Sequence, residues 1–181
     1  MVVLPLVPVT AAMGTAEGVP LTINLTILDV ADGGTPLAGA AVYIWHCDRD
    51  AQYSLYTITD QNYLRGVQPA DADGAVTFTS IFPGCYDGRW PHVHFEVYPS
   101  LEAATDAANR LATSQIALPE ATCNEVYATP EYAASVAAFA RISLTTDMVF
   151  RDDGGIHQLG TVTGSLADGY TVELAVPVLT A

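Results

Sequence analysis

The sequence predicts an all-β fold, an antiparallel β-sandwich with one or two short helices in its loops. Two observations lead to this prediction. Apolar and polar residues alternate over several short segments, as in strands that bury one face. Turns rich in Gly and Asp separate many of these segments, which is typical of β-sandwiches.

The predicted strands follow from this alternation and from the turns beside them. Asp32-Gly33-Gly34 closes the first strand, and Asp71-Ala72-Asp73-Gly74 precedes the third. Ala167-Asp168-Gly169 joins the last two strands as a hairpin. In chain order, we expect strands at 21–28, 41–45, 76–79, 93–98, 159–163 and 170–178.

Two stretches have helical character. Residues 101–113 are rich in Ala, which has the highest helix propensity. Residues 129–141 begin with Thr129-Pro130, a favourable pair for the N-cap and first position of a helix.

Composition excludes several kinds of partner. The formal net charge is −14, which argues against nucleic-acid binding because that function needs a basic surface. It also disfavours strongly acidic substrates. No apolar run reaches the roughly 18 residues of a membrane-spanning helix, so no membrane partner is expected.

The predicted strand at 93–98 continues a pair of histidines. On a strand, His92, His94 and Glu96 share one face, while the residues between them are apolar. The apolar face can pack on a core and leave two imidazoles side by side on the other. Imidazole suits iron, zinc, copper and nickel. Without a metal, the pair could be ordinary hydrogen-bonded histidines or protonation switches.

Several ordered motifs accompany this pair. They are Ala40-Ala41-Val42-Tyr43-Ile44-Trp45-His46, Tyr53-Ser54, Leu64-Arg65-Gly66, Pro83-Gly84-Cys85-Tyr86 and His92-Val93-His94-Phe95. In these motifs the chain resembles the intradiol ring-cleavage dioxygenases, the family of catechol and protocatechuate dioxygenases. The likeness runs from about residue 21 to 99 and resumes weakly near 146–163. The resemblance is to the short, extracellular bacterial branch.

The resemblance implies one non-haem Fe(III) ion per chain, bound by Tyr53, Tyr86, His92 and His94. This set makes chemical sense, because a trivalent cation can deprotonate phenols whose ordinary pKa is near 10. Two phenolates would then partly neutralise the ferric charge. Without a metal, both tyrosines read as ordinary strand or turn residues. Ala51 stands where many relatives carry a glycine, so the turn before Tyr53 departs from the family pattern.

The implied reaction is cleavage of a catechol-type ring by O₂, between the two hydroxylated carbons, to a muconate-type product. The partners are then a small aromatic diol and O₂. The resemblance makes Tyr86 the ligand that leaves the metal and takes a proton. Arg89 would stabilise negative charge beside the ring, and Gln115 would support the site. Arg89 could instead be a surface residue paired with Asp87 or Glu96.

Two rival functions fit parts of the pattern. One is a catalytically inactive β-sandwich binding module, which would show a broken ligand set. The other is a zinc hydrolase built on the histidine pair, with Glu96 as the candidate third ligand.

The remaining expectations concern the chain as a whole. A length of 181 residues fits one domain, with an N-terminal extension over 1–20 and the dioxygenase-like catalytic domain over 21–181. His46 and Arg65 are expected to be structural, and His157 solvated. The resemblance and the composition favour an extracellular protein, although no basic region of a signal peptide is seen. A Cys47–Cys123 disulfide would suit that location, but spacing fixes neither the pairing nor the oligomeric state.

Overall fold

Two β-sheets pack against each other in the computed structural model, which describes residues 14–180. The strands are β1 (Pro20–Asp29), β2 (Thr35–Pro36), β3 (Ala41–Trp45), β4 (Arg65–Pro69), β5 (Ala75–Ile81), β6 (His92–Tyr98), β7 (Ala112–Ala117), β8 (Thr161–Ser165) and β9 (Gly169–Val178). The helices are α1 (Glu120–Tyr127) and α2 (Ala133–Phe139). The predicted all-β sandwich with short helices is therefore confirmed.

The first sheet is built around β1. Strand β1 pairs with β2 and β5 in antiparallel fashion, and β9 pairs with β8 in the same way. The pairing of β1 with β9 is parallel. The sandwich is therefore mostly antiparallel, with this one exception to the prediction among the described strands. The second sheet has the order β4-β3-β6-β7, and all its pairings are antiparallel.

Alternation along the strands creates the core between the sheets. On β1, every second side chain from Leu21 to Ile27 is at most 1% exposed. On β6, Val93, Phe95 and Val97 are at most 2% exposed and belong to the same cluster. Burying each such side chain contributes about 1.5–3 kcal/mol. This burial fixes the face of β6 that points inward, and His92, His94 and Glu96 consequently share the other.

The predicted Ala-rich helix at 101–113 is wrong. The segment forms only two short 3₁₀ turns, 103–105 and 107–109, before β7 begins. Asp106 breaks the helix, because its backbone is extended and its side chain accepts a hydrogen bond from the Ala108 N–H. Residues 112–117 then pair with β6, so sheet pairing overrides the helix propensity of alanine.

The second predicted helix exists in shortened form. Residues 130–132 make a 3₁₀ turn, and α2 ends at Phe139. Thr129 occupies the expected N-cap position of that turn, but its hydroxyl donates to the Val126 carbonyl instead of capping. Helix α1 was not predicted. It buries Cys123 and Val126, and the Tyr127 hydroxyl donates to the Pro83 carbonyl at 3.0 Å.

Residues 1–13 of the predicted N-terminal extension lie outside the described residues, and the division at residue 20 stays a prediction. In the described part, Val19 bonds to Phe82 and Tyr132, which ties the start of β1 to the domain. No helix among residues 14–180 is long and apolar enough to cross a membrane. Cys47, Cys85 and Cys123 are free and buried, so the Cys47–Cys123 disulfide is not formed.

Candidate metal centre

Four side chains bring their donor atoms together at one end of β6. The Nε2 atoms of His92 and His94 lie 3.0 Å apart. The phenol oxygen of Tyr53 is 3.2 Å from His94 Nε2 and 3.5 Å from His92 Nε2. The phenol oxygen of Tyr86 is 3.2 Å from that of Tyr53 and 3.4 Å from His92 Nε2. All four predicted metal ligands therefore converge on one point.

The two imidazoles are held by different contacts. His92 is buried, and its Nδ1 lies 2.5 Å from the Trp90 carbonyl, to which it can donate. That bond leaves Nε2 unprotonated and facing the other donors. The ring of His94 stacks on Trp45, with centroids 4.6 Å apart and planes 4° from parallel. Trp45 is its direct partner across the β3–β6 ladder, so sheet register sets the orientation of His94.

Tyr53 projects from a loop that Asp48 organises. The Asp48 carboxylate accepts hydrogen bonds from the Asp50 and Gln52 N–H groups, and its carbonyl accepts from Ala51. Ala51 has φ 62°, a left-handed conformation that favours glycine. The departure from the family pattern thus lies at a position where glycine would fit with less strain.

Tyr86 comes from a neighbouring loop that packs on the first one. The Gly84 N–H donates to the Asp48 carbonyl at 2.9 Å. A Cβ atom at Gly84 would lie 2.6 Å from the Arg49 carbonyl oxygen and 2.8 Å from the Ala51 nitrogen. Only glycine allows this approach, which brings the Tyr86 ring to 5.9 Å from the Tyr53 ring.

Burial sets the protonation of the four ligands. Desolvation lowers the pKa of His92 to about 4, and the Arg89 charge adds to this effect. Desolvation, and then the neighbouring His92, lower the pKa of His94 to about 3. Both imidazoles are consequently neutral at neutral pH, as metal ligation requires. Desolvation raises the pKa of Tyr53 and Tyr86, so each phenol keeps its proton until a cation replaces it.

The donor set fits Fe(III) better than zinc. Five pairs of donor atoms lie 3.0–3.5 Å apart, which is close enough for all four side chains to bind one ion. Zinc prefers Cys, His and carboxylate ligands. Within residues 14–180 no group of three His, Cys, Asp or Glu side chains could hold a metal. Glu96, the candidate third zinc ligand, instead bonds to Tyr98 and Arg110.

Arg89 lies beside the four ligands and is held by two acceptors. Its Nε donates to Asp147 at 2.9 Å, and its Nη2 donates to Gln115 Oε1 at 2.5 Å. The alternative surface pairings of Arg89 are wrong, because Asp87 pairs with Arg141 and Glu96 with Arg110. Gln115 faces His94 across the β6–β7 ladder, which explains how it reaches the site.

Asp147 is a residue of this site that the sequence did not reveal. It lies far from Arg89 in sequence, in an irregular segment, and no local spacing links the two. The weak return of the family likeness near residue 146 was the one available signal.

The other singled-out residues lie where expected. His46 is buried, with its ring nitrogens 2.7 Å from the Cys47 carbonyl and 2.6 Å from the Ser80 hydroxyl. Arg65 is buried and donates to the Ser54 carbonyl from two nitrogens, which supports the loop of Tyr53. His157 is exposed.

Comparison with known proteins gives a consistent result. A family model described as Dioxygenase matches residues 6–112, which is more than half of the chain. An intradiol ring-cleavage dioxygenase from Tetranychus urticae has a similar structure, with 25% identity and a TM-score of 0.76 over 91% of this chain and 82% of that one. The chain belongs to the intradiol ring-cleavage dioxygenase family.

Two further relatives match this family member over very different shares of their own chains. The dioxygenase domain of a carbohydrate-binding fusion protein from Streptomyces sp. SirexAA-E is 25% identical, with a TM-score of 0.61 over 96% of this chain and 86% of that domain. Chlorocatechol 1,2-dioxygenase of Rhodococcus opacus is 44% identical over 57 residues, 30% of this chain. That match spans 22% of the Rhodococcus protein, so the likeness covers only a part of it.

Proposed function

We propose that this protein is a non-haem Fe(III) dioxygenase that cleaves a catechol-type ring between its hydroxylated carbons. O₂ would supply both oxygen atoms, and the product would be a muconate-type diacid. The observation that carries the proposal is the convergence of Tyr53, Tyr86, His92 and His94, whose donor atoms lie 3.0–3.5 Å apart in five pairs. Family membership gives this convergence its chemical meaning.

Tyr53, Tyr86, His92 and His94 would hold the iron. When bound, Fe(III) would supply affinity for a deprotonated diol and the electronic chemistry that lets the ring react with O₂. The protein's own share is positioning, exclusion of water and the movement of protons.

Tyr86 is the proposed proton acceptor. Burial raises the pKa of its phenol, so the side chain favours the protonated form whenever no cation stabilises its phenolate. Its oxygen is 3.2 Å from that of Tyr53 and 3.4 Å from His92 Nε2, so it lies among the donors that would hold the iron. Tyr86 could therefore take a proton from the diol while Tyr53 and the histidines stay in place.

Arg89 is the proposed source of positive charge toward the reacting ring. Its side chain is only 13% exposed, and its guanidinium remains charged at any physiological pH. Fixed donors that meet developing negative charge commonly contribute about 3 kcal/mol to catalysis. Gln115 would act through its bond to Arg89 rather than on the substrate.

Both rivals are weaker. A binding module that had lost catalysis would show a broken ligand set, and here all four side chains converge. A zinc hydrolase would need a third ligand that Glu96 does not supply. The extracellular location also stays a prediction.

A panel of catechols tests the proposal. Iron-supplied protein should consume O₂ with at least one member and release a diacid that carries both atoms of labelled O₂. Simple and chlorinated catechols belong in the panel, since the Rhodococcus relative is named for chlorocatechol. Absence of O₂ uptake across the panel, or release of a semialdehyde from cleavage beside the diol, would contradict the proposed reaction.

A further inference from the structure

We propose that Asp147 is a positioning residue of this enzyme, a buried carboxylate that fixes the guanidinium of Arg89 beside the four metal ligands. The inference rests on the proposed function and adds a residue to it. Asp147 contributes no ligand and lies outside all the motifs that define the site in sequence.

The Asp147 side chain is fully buried, and each oxygen of its carboxylate accepts two hydrogen bonds. Oδ2 accepts from Arg89 Nε at 2.9 Å and from the Trp90 N–H at 2.7 Å. Oδ1 accepts from the Val149 N–H at 2.7 Å and from the Phe150 N–H at 3.1 Å. Its side chain is 0% exposed. Four donors hold this carboxylate rigidly, which makes it a fixed point for whatever it binds.

Arg89 is consequently fixed at two corners of its planar fork. Asp147 takes Nε, and Gln115 takes Nη2 at 2.5 Å. Among residues 14–180, the side-chain hydrogen bonds of Arg89 are made by Nε and Nη2, and none by Nη1. The positive charge acts on Tyr53 and on both ligand histidines. A lysine could not make these two contacts from two separate nitrogens, because its ammonium lacks the planar fork of a guanidinium.

Asp147 also bonds to the backbone of Trp90, the residue whose carbonyl orients His92. It accepts from the Trp90 N–H, and the Trp90 carbonyl lies 2.5 Å from His92 Nδ1. One buried carboxylate therefore links the orientation of Arg89 to the backbone that orients His92. If Asp147 only stabilised the local turn, its bonds to the Val149 and Phe150 N–H groups would be sufficient. The additional bond to Arg89 indicates a second role.

The test uses the full chain loaded with iron and compares Asp147→Asn, Arg89→Ala and the double variant. In Asp147→Asn, if the amide oxygen keeps Val149 and Phe150, the amide NH₂ meets the N–H groups of Arg89 and Trp90. The arginine is then released, and kcat should fall roughly tenfold to a hundredfold. The iron content and the visible absorption band expected from tyrosinate bound to Fe(III) should stay unchanged. Added to Arg89→Ala, the same change should lower kcat no further.

Controls separate positioning from stability. Arg141→Gln removes the exposed ion pair with Asp87 and should leave kcat unchanged. Arg89→Lys keeps both acceptors intact and should lose nearly as much kcat as Arg89→Ala. This variant also decides the question if Asp147→Asn fails to fold, since near wild-type kcat in Arg89→Lys would overturn the proposal. Equal losses from Asp147→Asn in the wild-type and Arg89→Ala backgrounds would also overturn it.

A readout independent of turnover distinguishes this inference from the proposed function. In the iron-free protein, the Nε–H proton of Arg89 should exchange slowly with solvent by NMR, and the protection should vanish in Asp147→Asn. If wild-type protein turns over no catechol, the proposed function fails. Protection that persists in Asp147→Asn would refute the positioning role on its own.

Discussion

At the scale of single residues, the proposed metal centre would depend on two imidazoles that cannot replace one another. His92 is oriented by the Trp90 carbonyl and His94 by the ring of Trp45. Both leave the same face of β6, but each occupies its own side of the four-atom cluster. The loss of either should leave a gap that the remaining three donors cannot close.

We expect His92→Ala and His94→Ala each to lose iron and activity together. Removing a residue that only supports a ligand commonly reduces metal affinity 10- to 100-fold, and removing a ligand should do more. Iron per chain is measured by elemental analysis after dialysis. His157→Ala, at an exposed position, is the control and should retain iron. Full iron occupancy in either ligand variant would show that the pair does not bind the metal.

In Arg89→Ala, by contrast, activity should be lost without loss of iron. Arg89 is not a ligand, so iron and colour should remain, while kcat should fall roughly a hundredfold or more. Steady-state O₂ uptake and the visible spectrum of the same sample measure the two effects. Near wild-type turnover with only a slightly lower melting temperature would return Arg89 to a structural role.

At the scale of elements, two loops bring the tyrosines to the histidine strand. That strand, β6, could be predicted because its polar and apolar side chains alternate. The 101–113 segment could not, because its alanines favour a helix locally while pairing with β6 decides the outcome for residues 112–117. The contact between the two tyrosine loops also depends on tertiary packing around Gly84.

Gly84→Ala should destabilise the protein and weaken iron binding. The new Cβ would lie 2.6 Å from the Arg49 carbonyl and 2.8 Å from the Ala51 nitrogen, so backbone must move. Such overpacking commonly costs about 1–3 kcal/mol. Chemical denaturation of the iron-free variant gives the change in free energy of unfolding. An unchanged free energy together with full iron binding would show that the two loops do not need this close approach.

Ala51→Gly in the adjacent turn should act in the opposite direction. Replacing a left-handed alanine with glycine relieves a strain of about 1–2 kcal/mol. The greater freedom of glycine in the unfolded chain reduces this gain by about 0.5–1 kcal/mol. We expect a gain of about 0.5–1 kcal/mol in the free energy of unfolding. The same denaturation measurement tests this prediction. A lower free energy of unfolding in Ala51→Gly would contradict the claim that Ala51 is strained.

At the scale of the whole molecule, local and long-range features differ in what the sequence reveals. The four ligands fall in recognisable motifs and could be named in advance. Asp147 and the Arg89–Gln115 contact could not, because they arise only when a distant loop and β7 close around the site. The parallel pairing of β1 with β9 joins opposite ends of the chain and has no local signature.

Buried histidines should also give the iron-free protein a marked acid sensitivity. Desolvation lowers the pKa of His46 and His92 to about 4 and that of His94, with help from His92, to about 3. Unfolded histidines titrate near 6.5, so the unfolded state binds more protons below that pH. The stabilisation is therefore present above about pH 6.5 and is lost as the pH falls toward 4, by up to about 3 kcal/mol for His46. Denaturation curves at pH 7 and pH 5 measure this, and equal stabilities would contradict it.

The central claim is that Tyr53, Tyr86, His92 and His94 bind one ferric ion. The most direct test combines elemental analysis with the visible spectrum of protein purified with iron. We expect about one iron per chain and a broad tyrosinate-to-iron charge-transfer band, with the band reduced in Tyr53→Phe and in Tyr86→Phe. Stoichiometric zinc in place of iron, or one iron per chain without such a band, would contradict the claim.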